Sequence, residues 1–180
     1  MTVGTRSDPV MAYNFYVTLF DSSTAAGTIA IGLGLAPQAG FSECGGLEMT
    51  MQPDEYRQGG ENDTVRKFAA RVTWTNLRLR RGVAFSNDLW DWLYSYAQGR
   101  GKRRDGMITL RDDQQQAVRV WQFKRGLPVK WTGPALNALQ NQVALEELEI
   151  AHEGLKLVSA AGGKLVEAVT AVAGAVGSLF

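Results

Sequence analysis

The sequence predicts a mainly β protein: an antiparallel β-sandwich or partial barrel with one packed helix over 86–98 and a C-terminal helical tail. Three observations predict this class. Aromatic and β-branched residues are concentrated between Trp121 and Trp131, and such side chains favour the half-buried surface of a sheet. Apolar and polar residues alternate in several short segments, as they do in strands. Twenty glycines among 180 residues suit a chain with many turns.

The N-terminal part predicts three strands. Residues 13–20 alternate, and the loop over 21–40 contains a second short strand. Residues 41–52 predict the third strand, in which Gly45–Gly46 indicates a bulge or a close backbone approach. We expect one face of this strand to pack in the core and the other to be exposed to solvent. The apolar face holds Leu47, Met49 and Met51, and the polar face holds Glu48, Thr50 and Gln52.

A long polar segment and a helix occupy the middle of the chain. Residues 53–67 are too many for a tight hairpin turn, so we expect a functional or a disordered loop there. Residues 70–81 predict a strand that Gly82 ends. The helix follows, with Ser86 as its N-cap. Its apolar face comes from residues spaced at i, i+3, i+4 and i+7, namely Leu89, Trp92, Leu93 and Tyr96.

The segments after the helix combine clear strands with an ambiguous stretch. A basic turn over 100–104 leads to a short strand over 107–111. The aromatic and β-branched run from Trp121 to Trp131, which is broken at residues 126–128, favours strands. The next segment fits two structures. A helical stripe is formed by Leu136, Leu139, Val143 and Ile150, whereas Val143 and Leu145, and then Leu148 and Ile150, alternate as in a strand. Propensity alone favours the helix.

Residues 159–180 predict a separate helical extension of a domain that covers 8–158. Gly162–Gly163 indicates a hinge, and a short helix rich in small residues is marginal in water. We therefore expect the tail to dock on a neighbouring subunit or a partner, and not to be a membrane anchor, because its apolar stretch is short. A seam with spacings of four and three carries the docking side chains Leu165, Val169, Val172, Val176 and Leu179.

Composition excludes several classes of protein. The single cysteine, Cys44, excludes an intrachain disulfide. No signal peptide pattern and no run of about 18 apolar residues is visible, so we expect folding in the cytoplasm and no membrane anchor. The net charge is +1, but residues 57–130 carry sixteen basic and seven acidic side chains. Such charge blocks either favour self-association or cancel where segments interleave.

The residues that carry chemistry do not form a recognisable catalytic or metal motif. His152, the only histidine, has no G-x-S-x-G nucleophile, and no carboxylate pair has the spacing of a metal site. The basic turn over 100–104 lacks the aromatic residues of a single-strand stacking platform. We expect the five tryptophans to pack in the core. The sequence predicts no enzyme and no cofactor.

Several short motifs follow one another along residues 8–158. They are Asp8–Pro9, Gly46–Leu47, Glu55–Tyr56–Arg57, Thr64–Val65–Arg66–Lys67, Leu89–Trp90–Asp91–Trp92, Pro128–Val129–Lys130–Trp131, Gly133–Pro134, Leu136–Asn137–Ala138 and Asn141 to Leu155. Together they resemble the phage tail tube family, the inner tubes of contractile tails and of related extracellular contractile injection systems. The resemblance implies that the last motif is a strand. Two segments depart from the family pattern. Residues 21–40 are longer than the hairpin that the family usually has there, and residues 159–180 extend beyond the part that resembles the family.

The resemblance implies a structural subunit that assembles as hexameric rings, which stack into a hollow inner tube. It implies partners of four kinds: further copies of the chain, a sheath protein, a baseplate or tube-initiator protein, and DNA or an effector protein as cargo in the lumen. The assembled location is a phage virion tail or an extracellular injection particle. Two alternatives remain open. They are a tube initiator or baseplate-proximal adaptor of the same fold, and a monomeric nucleic-acid-binding β-sandwich.

Contact roles follow from this expected architecture. We expect the polar face of the strand over 41–52 to line the lumen, with Glu48, Thr50 and Gln52. We expect the polar segment over 53–67 to reach the next ring, with Asp54, Glu55, Arg57 and Arg66 as charged contacts.

Overall fold

The computed structural model describes residues 9–21, 38–59 and 63–159, in which it has twelve strands and one helix. In chain order they are β1 (Phe15–Asp21), β2 (Gln38–Ala39), β3 (Glu43–Gly45), β4 (Met49–Met51), β5 (Asp54–Tyr56), β6 (Arg66–Phe68), β7 (Val72–Trp74), β8 (Leu77–Gly82), α1 (Asp88–Ala97), β9 (Arg104–Arg111), β10 (Ala117–Thr132), β11 (Leu145–Ala151) and β12 (Leu155–Ser159). All strand pairs are antiparallel.

Two sheets share the long strand β10. The first sheet has the order β2–β1–β9–β10–β12, and the second has the order β10–β11–β8–β3. Strands β11 and β12 follow one another along the same edge of β10, with Leu127 opposite Ala151 and Phe123 opposite Leu155. The mainly β, antiparallel class is confirmed. The described strands do not close into a barrel, because β2 and β3 stand at open ends of the strand order.

The ambiguous segment after Gly133 is a strand where it meets the second sheet. Leu148 lies opposite Trp131 of β10 and Leu79 of β8, so β11 is held on both edges. Tertiary pairing overrides helix propensity here, because a central strand satisfies its backbone groups on both sides. The helix that the stripe of apolar residues suggested is therefore wrong, and Leu136 and Leu139 of that stripe are exposed.

The hydrophobic core collects side chains from both sheets and the helix. It includes Val17, Leu77, Leu79, Leu89, Trp92, Ile108, Phe123, Leu148 and Ile150. Helix α1 buries Leu89 and Trp92 of its predicted apolar face, and Leu93 and Tyr96 are half-buried. The indole Nε1 of Trp92 donates a hydrogen bond to the Lys102 carbonyl at 2.9 Å. The predicted helix is confirmed, although its N-cap is Asn87 and not Ser86. No helix in the described part of the chain has the length and apolarity of a membrane span.

A buried ion pair lies in the second sheet, where β8 ends and β11 begins. The Arg81 Nε donates to the Glu146 Oε1 at 2.6 Å, and the two residues are 8% and 7% exposed. The second Glu146 oxygen accepts a hydrogen bond from Trp131 Nε1 at 3.1 Å. Buried charges are tolerated when they are paired and hydrogen-bonded, and this network meets both conditions.

The predicted strands over 41–52 and 70–81 are each interrupted. Gly46 has a φ of +84°, and a Cβ there would collide with the Asn76 carbonyl, which confirms the predicted close approach. The break separates β3 from β4. Our expectation that Leu47, Met49 and Met51 pack in the core is wrong, since all three are exposed and Met49 is 68% exposed. The segment over 53–67 contains β5 and the start of β6 and is not simply a loop.

We expect Gly126→Ala to destabilise the fold. A Cβ at this position would lie 2.7 Å from the Arg104 carbonyl oxygen and 2.8 Å from the ring of the buried Phe123. Backbone and ring would both have to move, at a cost of about 2 kcal/mol or more in the free energy of unfolding. Urea denaturation measures it. Gly40→Ala is the control, because no atom of the described residues, apart from its chain neighbours, lies within 4 Å of an added Cβ. Equal stability of the two variants would contradict the packing described.

We expect Glu146→Gln to cost about 3 kcal/mol of unfolding free energy, because it leaves the Arg81 charge buried without a counter-charge. Glu153→Gln is the matched control. Glu153 bridges Arg103 and Arg125 at the surface, and exposed ion pairs contribute at most about 1 kcal/mol. Thermal and urea unfolding of both variants measure the two losses. Similar losses of unfolding free energy would refute the buried, paired environment of Glu146.

Candidate assembly surfaces

A long β-hairpin extends from the second sheet. Its strands pair in succession, β3 with β8, β4 with β7 and β5 with β6, and the registers run from Glu43 opposite Arg80 to Tyr56 opposite Arg66. We call residues 49–74, with β4 to β7, the arm. Most of its described residues are exposed. A two-stranded ribbon alone is marginal in water, so the arm is the part of the fold that most needs external contacts.

The arm exposes large apolar side chains. They are Met49, Met51, Tyr56, Val65, Phe68 and Val72. The rings of Tyr56 and Phe68 meet edge to face, with centroids 6.4 Å apart. Apolar groups grouped on a protruding element are typical of an interaction surface.

The structure brings the four predicted inter-ring residues together on the outer half of the arm. Asp54 and Glu55 lie in β5, Arg66 lies opposite in β6, and Arg57 follows directly after β5. All four are exposed. The sequence placed them in a loop, whereas the ribbon gives Asp54, Glu55 and Arg66 a defined register. This register holds their charges at the surface of the arm.

The predicted lumen residues lie at the base of the arm. Glu48, Thr50 and Gln52 are exposed, and Glu48 accepts a hydrogen bond of 3.4 Å from the Thr75 hydroxyl. Both faces of β4 are exposed, so burial does not separate a core face from a polar face, as the sequence pattern suggested. The predicted docking residues of the tail, Leu165 to Leu179, lie outside the described residues.

A surface of mixed charge was not found by sequence reasoning. The outward side chains of the second sheet form two cross-strand rows: Glu43, Arg80, Glu147 and Thr132, and then Gly45, Arg78, Glu149 and Lys130. We call the six ionic members, Glu43, Arg78, Arg80, Lys130, Glu147 and Glu149, the charged face. The alternation of Leu and Arg in β8 is a sequence signal for it, but only the strand order places the acidic and basic residues side by side.

An aromatic cluster lies beside helix α1. Trp90 is 44% exposed, stacks on Tyr94 with centroids 5.9 Å apart and meets Trp131 edge to face at 4.8 Å. Our expectation that the tryptophans pack in the core holds for Trp92 but not for Trp90. With Tyr94 also exposed, the cluster is a second exposed apolar surface.

Two cations of the basic turn, Arg103 and Arg104, pair with acids from other segments. Arg103 pairs with Glu153 at 2.8 Å, Arg125 pairs with the same carboxylate at 2.9 Å, and Arg104 pairs with Asp21 at 3.3 Å. Here the charge blocks of the linear sequence interleave in space, which favours the second of the two alternatives for this part of the surface.

The two residues considered as candidates for catalysis, His152 and Cys44, are held by contacts within the fold. His152 Nε2 lies 3.1 Å from the Thr75 carbonyl, and its ring packs between Trp74 and Phe123, with both centroids 6.2 Å away. Burial raises the pKa of the Cys44 thiol to about 11, so the group is a thiol and a poor nucleophile at neutral pH. The described residues contain no group of three His, Cys, Asp or Glu side chains that could hold a metal ion.

This architecture matches a known protein family and several solved structures. Residues 11–156 match the family model described as T4-like virus tail tube protein gp19. No curated protein matches the chain. A chain from the baseplate of the anti-feeding prophage is 23% identical, with a TM-score of 0.75 over 87% of this chain and 100% of that chain.

Two further solved structures have the same fold. A chain of the sheath–tube complex of the PVC extracellular contractile injection system is 24% identical, with a TM-score of 0.68 over 84% of this chain and 92% of that chain. A chain of the anti-feeding prophage cap is 21% identical, with a TM-score of 0.73 over 88% and 96%. The family match covers both sheets, the arm and helix α1. The chain belongs to the tail tube protein family of T4-like virus gp19, and it is a structural, tail-tube-like protein.

Proposed function

We propose that the chain is the repeating subunit of the inner tube of a phage tail or an extracellular contractile injection particle, and that it forms hexameric rings that stack. One observation carries this proposal: the arm, a protruding ribbon with exposed apolar side chains on a fold that otherwise buries its core. The free energy of burying these side chains is available only through contact with another surface. In a family of tube proteins, that surface is a second copy.

Open sheet edges support lateral assembly. Among the described strands, β2 and β3 end the strand order, and β12 pairs only with β10. Unpaired strand edges invite pairing with another chain, and joining sheets edge to edge into a ring removes them. Such contacts join unlike surfaces and close into a ring when the rotation per subunit fits. One similar chain comes from the six-fold symmetrised baseplate of the anti-feeding prophage, which supports six copies.

The arm makes the axial contact in this proposal. Its apolar side chains supply the buried area, while Asp54, Glu55, Arg57 and Arg66 set the register against charges of the next ring. The base of the arm, with Glu48, Thr50 and Gln52, faces the lumen. In this proposal a sheath surrounds the tube and a baseplate begins it. Support comes from the sheath–tube complex and the baseplate that contain similar chains.

A second position in the particle is supported by a separate observation. The similar chains come from a baseplate and a cap as well as from a sheath–tube complex, and their TM-scores are 0.75, 0.73 and 0.68. We therefore keep an adaptor or terminator layer of the same fold as the alternative. Purified protein separates the two in negative-stain images, since a tube subunit forms long tubes and an adaptor stops at one ring or a short stack.

We expect replacement of residues 54–68 by a two-residue Asn-Gly turn to block stacking. The change removes β5 and β6 but leaves both sheets, so circular dichroism spectra and unfolding free energy should be close to wild type. Negative-stain images should show single rings or free subunits. A double substitution, Tyr56→Ser with Phe68→Ser, is a milder matched test, because it removes only the apolar pair. Tubes of normal length from both variants would contradict the axial role.

We expect deletion of residues 162–180 to leave the fold intact and to weaken assembly. The seam of Leu165, Val169, Val172, Val176 and Leu179 motivates this proposal from the sequence alone. Val172→Asp should reproduce the deletion, and Thr170→Asp, off the seam, is the control. Sedimentation of assembled material measures the effect, and wild-type assembly by both the deletion and Val172→Asp would remove the docking role.

A further inference from the structure

The aromatic cluster beside helix α1 borders an apolar depression of the surface. The wall of the depression includes Val83, Ala84, Trp90, Trp131 and Pro134. Val83 is 52% exposed, and the side chain of Phe85 is fully exposed. Apolar side chains grouped in this way are typical of an interaction surface. The arm and the open strand edges carry the contacts between copies proposed above, and the aromatic cluster belongs to neither of them.

The wall of this depression offers no free charge to a ligand. Its one carboxylate, that of Glu146, is paired with Arg81 at 2.6 Å and accepts a further hydrogen bond from Trp131 at 3.1 Å. The acidic residues in the first turn of α1, Asp88 and Asp91, line a different depression. A charged segment would lose its hydration here without gaining a partner, whereas an apolar segment gains free energy by leaving water. The depression therefore favours an apolar, uncharged occupant.

The chain carries a segment of this character after β12. Residues 168–180 contain no Asp, Glu, Lys or Arg. The predicted apolar seam from Leu165 to Leu179 covers 14 positions, which correspond to about 21 Å in a helix. Helix α1 has ten residues and is about 15 Å long by the same rise per residue. The seam is therefore long enough to lie along α1 and the aromatic cluster.

This segment begins far from the aromatic cluster of its own copy. Strand β12 ends at Ser159, which lies opposite Arg119 of β10. Trp131 is twelve positions further along β10, which corresponds to about 40 Å along the course of the strand. Residues 160–163, which precede the predicted helix, span at most about 14 Å. The start of the seam falls short of its own cluster, so the whole seam is better placed to lie on another copy.

We propose that the aromatic cluster and its depression bind residues 164–180 of a neighbouring copy, with the apolar seam against Trp90 and Trp131. This inference rests on the proposed tube function, because a ring or a stack brings a second copy to a defined distance. Each copy then donates one segment and accepts one. The contact buries two apolar surfaces, neither of which the described fold covers.

Disulfide cross-linking tests the contact. Acceptor chains carry Ala84→Cys in the wall of the depression, and tagged donor chains carry Ala175→Cys beside the seam residue Val176. Both chains also carry Cys44→Ser, so that no other thiol is present. The two chains are mixed, assembled into rings and oxidised gently. We expect donor–acceptor pairs on a non-reducing gel.

Two controls hold the chemistry constant and change only the position. Lys130→Cys replaces the acceptor cysteine, because Lys130 is next to Trp131 in β10 but belongs to the charged face on the other side of the sheet. Thr170→Cys replaces the donor cysteine at a position off the seam. Cross-linking with both control cysteines that equals cross-linking between Ala84→Cys and Ala175→Cys would overturn the proposed contact.

Substitution of either surface should break the contact. Trp90→Ser with Tyr94→Ser on the acceptor should lower the yield of donor–acceptor pairs at least about tenfold, because the apolar area buried by two rings is lost. Asp91→Asn, on the flank of α1 that lines the other depression, is the control. Val176→Asp on the donor should give the same loss, and it lies outside residues 9–159, so it decides the test even if the double variant fails to fold. Unchanged yields with Val176→Asp would overturn the proposal.

A single chain that carries both Ala84→Cys and Ala175→Cys separates a neighbouring copy from the same copy. As dilute free subunits it should remain reduced, and a link within one chain would overturn the choice of a neighbouring copy. Rings that assemble normally but give no donor–acceptor pair would reject this inference and leave the proposed tube function standing. If no rings or tubes form under any condition, the proposed function fails, and this inference fails with it.

Discussion

The bend of β10 is the constraint on which the rest of the structure depends. The strand serves both sheets because it changes direction after Phe123, where the register shifts and Arg125 adopts a φ of +53°. The Phe123 ring is fully buried and packs where Gly106 and Gly126 have no Cβ. Bulges bend strands and increase their twist, so this corner lets one strand belong to two layers around a single core.

The bend also determines which surfaces are left over. The two segments after it, β11 and β12, run along one edge of β10, so one is paired into each sheet. Strand β11 then holds β8, and β8 holds β3, from which the arm projects. The protruding arm and the charged face are therefore both built on the second sheet. A change at the corner would displace them together.

Charge is used in two different ways in this fold. The Arg81–Glu146 pair is buried, hydrogen-bonded to Trp131 and close to the Ser86 carbonyl, so its geometry is fixed and its loss is costly. The Arg80–Glu43 pair of the charged face and the pairs of Glu153 with Arg103 and Arg125 are exposed, so they contribute little to stability. The contrast separates a charged pair that the fold needs from pairs that contribute little to folding.

The sequence by itself determined the β class, helix α1, the break at Gly82 and the close approach at Gly46, because these depend on local periodicity and on conformations that glycine favours. Family resemblance, and not propensity, identified β11 as a strand. Local reasoning failed where partners distant in sequence decide the outcome. The alternation around Met49 predicted a core face, yet no second layer covers β4 among the described residues.

Only the tertiary structure decided how charges meet and where the apolar residues of the arm lie. Arg80 is 37 positions from Glu43 and 67 from Glu147, and its place between them follows from strand order alone. Likewise, the register of β5 with β6 turned a predicted polar loop into a ribbon that pairs Asp54 with Phe68. Sequence patterns report which residues share a face of one strand. The long-range pairing of strands, driven by burial of the core around Phe123, decides which faces become one surface.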